Sequence, residues 1–267
     1  MSPAATLERL RAALATFPKN VLNPSLLPRL NVVEAAGLLH VDFCGQPDDA
    51  PYDDLCRTLA GADVAGTLAS IVLRSPDVGA NGLCNFDLGE LLAGGTPFAS
   101  LRTFEIQQRA PGDHNGKVVG PGYHEEGQLA RLLAKSPVLD ALISPSAPDA
   151  SFFEVDAPCL RALSVDSGLA TQDFVRNLAR STRLTGLRNL EFGEFRETCI
   201  DTFLDECTPF EDYDALFRSP VFASMRSFTW RNPVCSPEQI AALRALRPTG
   251  LQFTVIRFSS EYVRNPG

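Results

Sequence analysis

The segment SPVFASMRSFTW, residues 219–230, holds in one short stretch the pattern on which the fold rests. Pro220 stops a preceding helix, since proline has no N–H for the helical ladder and its ring collides with the turn before it. Val221 and Phe222 then return the chain to the core. MRSFTW follows as a strand with one apolar and one polar side, because side chains alternate along an extended chain. Phe228 and Trp230 fall on one side, and Ser227 and Thr229 on the other.

The same hexad recurs: an aliphatic residue, two variable positions, an apolar residue, one variable, another apolar. It reads LLHVDF (38–43), LASIVL (68–73), LRTFEI (101–106), a degraded LDALIS (139–144), LRALSV (160–165), LRNLEF (187–192) and LQFTVI (251–256). With MRSFTW these make eight copies, and four carry arginine at the second position: Arg102, Arg161, Arg188 and Arg226. Related tails, GTPFASLR (95–102) and KSPVLD (135–140), lead into two of them. Between copies the apolar residues switch to helical spacing, as in Leu129, Leu132, Leu133 and Phe174, Val175, Leu178. The helix before the last copy opens SPEQ, with Ser236 as N-cap, Pro237 in the first turn and Gln239 placed for a capping box.

Strand, turn, helix, turn, strand at intervals of 30, 33, 38, 21, 27, 38 and 26 residues describes a stacked repeat. The hexads, and above all S-P-x-F-x-x-M-R-S-F at 219–228, resemble divergent bacterial cytoplasmic leucine-rich-repeat (LRR) proteins, over residues 38–256. The resemblance implies an α/β solenoid with a curved parallel sheet, helices on the convex side, and protein binding on the concave face. It brings no catalytic residues. Residues 1–37 read as an N-terminal helical cap covering the open end of the repeat, 38–258 as an irregular LRR-like solenoid, and 259–267 as a C-terminal tail.

Composition narrows the function classes. The 267 residues are 45% hydrophobic and 21% charged, with a net charge of −8 and a pI near 5.0. That balance disfavours nucleic acid and anionic membrane as partners and favours electrostatic attraction of a basic protein. Seven cysteines without a C-x-x-C pair sit in apolar surroundings, so buried free thiols in a reducing cytoplasm are expected. No apolar run approaches the ~20 residues that span a bilayer.

The odd positions of the hexads should form the exposed sheet face. The residues expected there to meet a partner are Asp42, Arg74, Glu105, Gln107, Asp166, Glu191 and Arg231. Asp166 and Glu191 are expected on neighbouring strands, close enough to repel. A second candidate patch is the acidic cluster running from Glu191 through Glu194 to Asp214. The stretch QRAPGDHNGKVVGPGYHEEG (108–127), with five glycines, reads as a mobile surface loop. It holds His114 and His124, but ten residues apart and without helical i, i+4 geometry, so no metal site is expected. Lys117 is followed by Val118, which breaks the phosphate-loop pattern, and no G-x-S-x-G elbow occurs. The expected function is therefore a non-catalytic protein–protein interaction module, a scaffold or adaptor, without cofactor or metal. The alternatives are an immunity-type inhibitor of a basic toxin and an enzyme using the 108–127 loop.

Overall fold

The computed structural model describes residues 2–15, 26–79, 82–110, 112–194 and 203–257. Its strands are β1 (Arg29–Ala35), β2 (Leu38–Cys44), β3 (Leu68–Arg74), β4 (Leu83–Phe86), β5 (Thr103–Ile106), β6 (Gly116–Val119), β7 (Ala141–Ser144), β8 (Ala162–Asp166), β9 (Asn189–Gly193), β10 (Ser227–Arg231) and β11 (Gln252–Ile256). All eight hexads are strands of one nine-stranded sheet with the order β1-β2-β3-β5-β7-β8-β9-β10-β11. From β2 onward every neighbouring pair is parallel. The architecture is mixed α/β with one large, mostly parallel, open sheet laid down in chain order.

A regular hydrogen-bond device starts the four strands β7 to β10. The carbonyl of the second hexad residue accepts two N–H groups from the next strand: Arg102 from Asp140 and Ala141 (2.8 and 2.9 Å), Asp140 from Arg161 and Ala162 (2.8 and 3.0 Å). Arg161 accepts likewise from Arg188 and Asn189 (3.0 and 2.9 Å), and Arg188 from Arg226 and Ser227 (2.7 and 3.2 Å). Each hexad is thus keyed to the one before it. The first hexad residue then falls inside, as with Leu101, Leu160 and Leu187, which are fully buried.

The fourth and sixth residues are buried as the two-residue period requires. Ile71, Leu73, Phe104, Ile106, Val165, Phe192, Phe228 and Trp230 have no exposed surface, and Leu163 and Leu190 have almost none. They share one continuous core with Leu129, Leu132 and Leu133 of helix α4 (Gln128–Lys135), Phe174 and Leu178 of α5 (Phe174–Arg180), and Leu243 of α9 (Pro237–Leu246). The helices therefore cover one face of the sheet. They also stack in chain order: α2 (Ala50–Ala60) on α3 (Gly89–Ala93), α3 on α4, and α5 on α7 (Phe210–Phe217), which follows the short α6 (Phe203–Glu206). α9 has the anticipated capping box, with Ser236 Oγ accepting from Gln239 N and Gln239 Oε1 from Ser236 N. Pro220 ends α7 as anticipated, but it also opens the short helix α8 (Pro220–Ala223), capped by Ser219 Oγ.

Four features depart from the sequence reading. Residues 1–37 hold the expected helix, α1 (Pro3–Ala15), but also β1, which pairs antiparallel with β2. Ala36 and Gly37 both take positive φ, +52° and +75°, the two-residue turn whose twist matches a hairpin. Second, the 108–127 stretch is not a surface loop throughout. Gly116–Val119 is β6, parallel to β4 in a two-stranded sheet, and Asn115, Lys117, Val118, Val119 and Glu125 are buried. Third, the last hexad is one residue out of frame: Phe228 pairs with Phe253 and Trp230 with Val255, so Phe253 and Val255 face the core rather than Thr254 and Ile256. A one-residue slip exchanges the faces of a strand, and here it stacks Phe253 on Phe228 at 5.4 Å with the rings 2° from parallel. Fourth, β7 ends its core side on Ser144, whose buried hydroxyl donates to Ser146 O at 2.8 Å. Residues 16–25 and the tail 258–267 lie outside the described residues.

Leu163 sits mid-core on the central strand β8, so Leu163→Ala is expected to cost about 2–5 kcal/mol through lost burial and the cavity left behind. Denaturant unfolding of the two proteins measures this.

Candidate functional site

The sheet face away from the helices is formed by the odd hexad positions, brought into straight rows by the register. One row runs His40, Ser70, Thr103, Ala141, Ala162, Asn189, Ser227, and the next Asp42, Val72, Glu105, Ile143, Ser164, Glu191, Thr229. All of these side chains are half-buried or exposed, in contrast to their neighbours on the core side. His40 Nδ1 lies 2.9 Å from Ser70 Oγ, and Ser227 Oγ donates to Asn189 Oδ1 at 2.9 Å. The face is chemically plain: mostly small and hydroxylic residues, with the aliphatic Val72 and Ile143 and isolated charges.

The seven residues anticipated for binding do not form one site. Asp42 and Arg74, near the β1 edge, pair at 3.0 Å with both side chains well exposed. Glu105 and Gln107 stand half-buried near the middle, Gln107 just past the end of β5. Asp166, Glu191 and Arg231 meet at the C-terminal ends of β8, β9 and β10, where Arg231 Nη1 is 2.8 Å from Asp166 Oδ1 and Nε is 2.6 Å from Glu191 Oε1. The repulsion expected between Asp166 and Glu191 is thereby cancelled, because Arg231 holds both. Asp166 and Arg231 are almost fully buried, so they are structural before they are recognition groups; only Glu191, with 39% of its side chain exposed, remains accessible.

Gly193 makes the bridge possible. It pairs with Asp166 on one side and Arg231 on the other, so the ion pair must cross it. A Cβ there would stand 2.0 Å from Asp166 Oδ1 and 3.3 Å from Arg231 Nη1. Asp166 also lines a small half-open cavity of about 40 Å³ with Arg109, Lys117, Ser167, Gly168 and Glu194, room for water.

The acidic cluster is likewise partly internal. Glu194 is buried beside β9, where Tyr213 Oη donates to it, as do Thr208 N (3.4 Å) and Oγ1 (3.2 Å). Burial, and then the nearby Glu194 charge, pushes the Tyr213 hydroxyl well above its ordinary value. Asp212 pairs with Arg176 at 3.1 Å and Asp214 with Arg218 at 2.8 Å. Asp205, Glu206 and Glu211 are exposed, and Glu197 and Asp201 lie outside the described residues.

Around the second sheet, buried polar groups tie loops to helices. Glu125 caps α4 by accepting from Leu129 N and Gly127 N. Gln128 Oε1 accepts from Leu88 N at 2.7 Å while its amide donates to Asp87 Oδ1 at 2.5 Å. Lys117 Nζ, nearly inaccessible, contacts Asp113 Oδ2 at 2.6 Å. Asp77 accepts from His114 N and contacts His114 Nδ1 at 2.9 Å, which, with the Gly79 N–H, lowers its carboxyl to about 2. His124 is exposed and lines an open surface hollow with Asp149, Ser151, Asp173, Asn177 and Glu206. Among the described residues no three His, Cys, Asp or Glu side chains are grouped to hold a metal ion. The thiols of Cys56, Cys207 and Cys235 are pushed up to about 12, in each case chiefly by burial, so they are protonated and poor nucleophiles at neutral pH.

No protein-family model matches the chain, and neither a curated protein nor a solved structure does. Among the described residues no helix is long and apolar enough to cross a membrane.

Two outcomes follow from the charged groups. Arg231→Ala leaves Asp166 buried without its counter-ion and is expected to cost about 3–5 kcal/mol. Replacing the pair together, as Asp166→Asn with Arg231→Met, should cost less than the single change, and chemical denaturation of both variants decides it. The folded Asp77 carboxyl lies below its ordinary 3.8, so its contribution is complete above that pH and is lost as pH falls through about 2. Asp77→Asn should therefore flatten the acid limb of the stability profile in that window, measured by unfolding across a pH series.

Proposed function

We propose that this chain is a non-catalytic protein-binding module, an LRR-like solenoid acting as scaffold or adaptor through the open face of its main sheet. The observation that carries this reading is the face itself. Its third and fifth hexad positions form continuous rows of half-exposed, mostly small or hydroxylic side chains, while every helix that packs into the core lies behind them. Parallel sheets are ordinarily covered on both faces. One left open across so many strands, in a chain that spends its apolar residues on the other side, supports a surface shaped for a macromolecule. Repeat stacking gives such a surface length without requiring a pocket.

The chemistry available on that face points the same way. Hydroxyl and amide groups adapt to a partner at little desolvation cost, whereas the charged groups are mostly paired within the chain: Asp42 with Arg74, and Asp166 and Glu191 with Arg231. Glu105 stands without a counter-ion in the middle of the rows and is the natural centre of a polar contact.

The test starts from capture of partners on the immobilised chain, identified by mass spectrometry. Surface variants then locate the contact. Glu105→Arg combined with Thr229→Arg on the open face should weaken the captured complex roughly tenfold or more, as expected for bulky charge placed in an interface core. Arg131→Glu on the exposed side of α4 should leave it unchanged. The reverse pattern, loss from the helix variant alone, would move binding to the helical face and end this reading.

A further inference from the structure

One regularity of the chain is not used by the open face. The second hexad position, whose carbonyl keys each strand to the next, bears Arg102 on the strand start of β5, Asp140 at β7, Arg161 at β8, Arg188 at β9 and Arg226 at β10. Because the two-fold N–H contacts fix these backbones in one line, the side chains leave the sheet from a straight row along its N-terminal edge. The row is bounded by apolar, buried residues, Ala69 on β3 and Leu251 before β11. Strands about 4.8 Å apart put Arg102 and Arg226 about 19 Å from each other.

The row is strongly cationic in a chain of net charge −8. Four arginines face one acid, and that acid, Asp140, is paired with Arg161 at 3.0 Å. Arg188 is turned back on the chain, donating to Thr185 O (3.0 Å) and Leu187 O (2.7 Å). Arg102 and Arg226 are exposed, and among the described residues their guanidinium groups meet neither a carboxylate nor another hydrogen-bond acceptor. A merely structural role is met by a group that ties down its own chain, as Arg188 does at the turn before β9. It leaves the outermost two unexplained.

We propose that this arginine row is a second docking edge, separate from the open face, for an acidic α-helix of a partner protein. The spacing selects the geometry. A helix advances about 5.4 Å per turn, so carboxylates at i, i+3/i+4 and i+7 recur at nearly the strand spacing, and the mismatch over the row is within the reach of arginine. Guanidinium forks bind such carboxylates in two-point contacts. A nucleic acid is the poorer occupant, since a duplex brings a negative charge about every 1.7 Å, several for each arginine of the row, and the surplus finds no cation there. The chain's own acidic helix α7 is not the occupant either, because Asp212 and Asp214 are already paired with Arg176 and Arg218.

The probe is a fluorescent alanine-based helical peptide of about 20 residues, ~30 Å long, with glutamates along one face. Its anisotropy is followed against the full chain at two salt concentrations. Controls are the same peptide with glutamates scattered around the helix, its lysine counterpart, and a short DNA duplex. The one-faced acidic peptide should bind, with affinity falling as salt rises. Arg102→Glu combined with Arg226→Glu should weaken it roughly tenfold, and Arg102→Gln with Arg226→Gln by less. Both positions are exposed, and matching circular dichroism and unfolding curves establish that the variants are folded. Absence of binding by the parent chain overturns the proposal. So does equal binding by the doubly reversed variant, equal binding of the scattered peptide, or preference for the duplex. Open-face variants such as Glu105→Arg should leave peptide binding unchanged, which separates failure of this edge from failure of the face.

Discussion

The carbonyl that accepts two N–H groups at the start of β7, β8, β9 and β10 is the constraint from which the rest of the molecule follows. It fixes the position of a strand along its axis before any side chain is considered. With that position set, the two-residue period decides which residues enter the core and which face out. It also explains why the repeat can vary from 21 to 38 residues, start to start, without disturbing the sheet. Each strand is keyed only to its neighbour, so an insertion alters the local helix or loop and leaves the ladder intact. β11 shows the same rule under stress: its pairing with β10 is shifted by one residue relative to the hexad pattern, and its inward residues become Phe253 and Val255. The large aromatic contact with Phe228 outweighs the pattern that an apolar Ile256 would suggest.

Buried polar groups in this chain do a second job, that of joining segments the ladder does not reach. Glu125 holds the start of α4, Gln128 joins α4 to the residues before α3, and Glu194 receives Thr208 and Tyr213 from the segment around α7. Each is a costly group to bury alone and an effective tie once its acceptors are filled. The Asp166–Arg231 pair belongs with them. Its net contribution against an apolar pair of the same shape is small, but either partner without the other is strongly unfavourable. Such groups select one arrangement of the loops more than they deepen the stability of the core.

How much of this was legible in the sequence depends on the range of the interaction. The hexads, the helices between them and the capping box at Ser236 are local patterns, and all are visible in consecutive residues. β1 was hidden because its turn, Ala36-Gly37, lacks the Asn-Gly or Asp-Gly pair that marks a tight hairpin, although both residues take the required positive φ. β6 was hidden by its setting among glycines, which read as a loop until a partner strand 33 residues earlier is supplied at Leu83–Phe86. The charges were the least legible. Asp166 and Glu191 looked like free carboxylates because Arg231, the group that neutralises them, lies on β10, and the glycine that gives Asp166 room lies between them in space. Only the glycine at the seventh hexad position could have signalled a side chain crossing overhead.

The separation of charge along the strands bears on how the two surfaces act. The arginine row occupies the second hexad position and the Asp166–Glu191–Arg231 group the fifth and seventh. In β10, Arg226 and Arg231 are five residues apart, about 16 Å along an extended chain. At physiological ionic strength exposed charges are screened over about 8 Å, so the N-terminal edge scarcely feels the carboxylates at the other end of the same strands. Net charge is then a poor guide to this molecule at short range. A value of −8 describes the field that an approaching partner meets from afar. Within contact distance one edge presents guanidinium groups and the middle of the open face presents hydroxyls and a single carboxylate. A parallel ladder makes such a division easy to build, because one hexad position repeated from strand to strand becomes a line of one chemistry, and lines several residues apart are electrostatically independent.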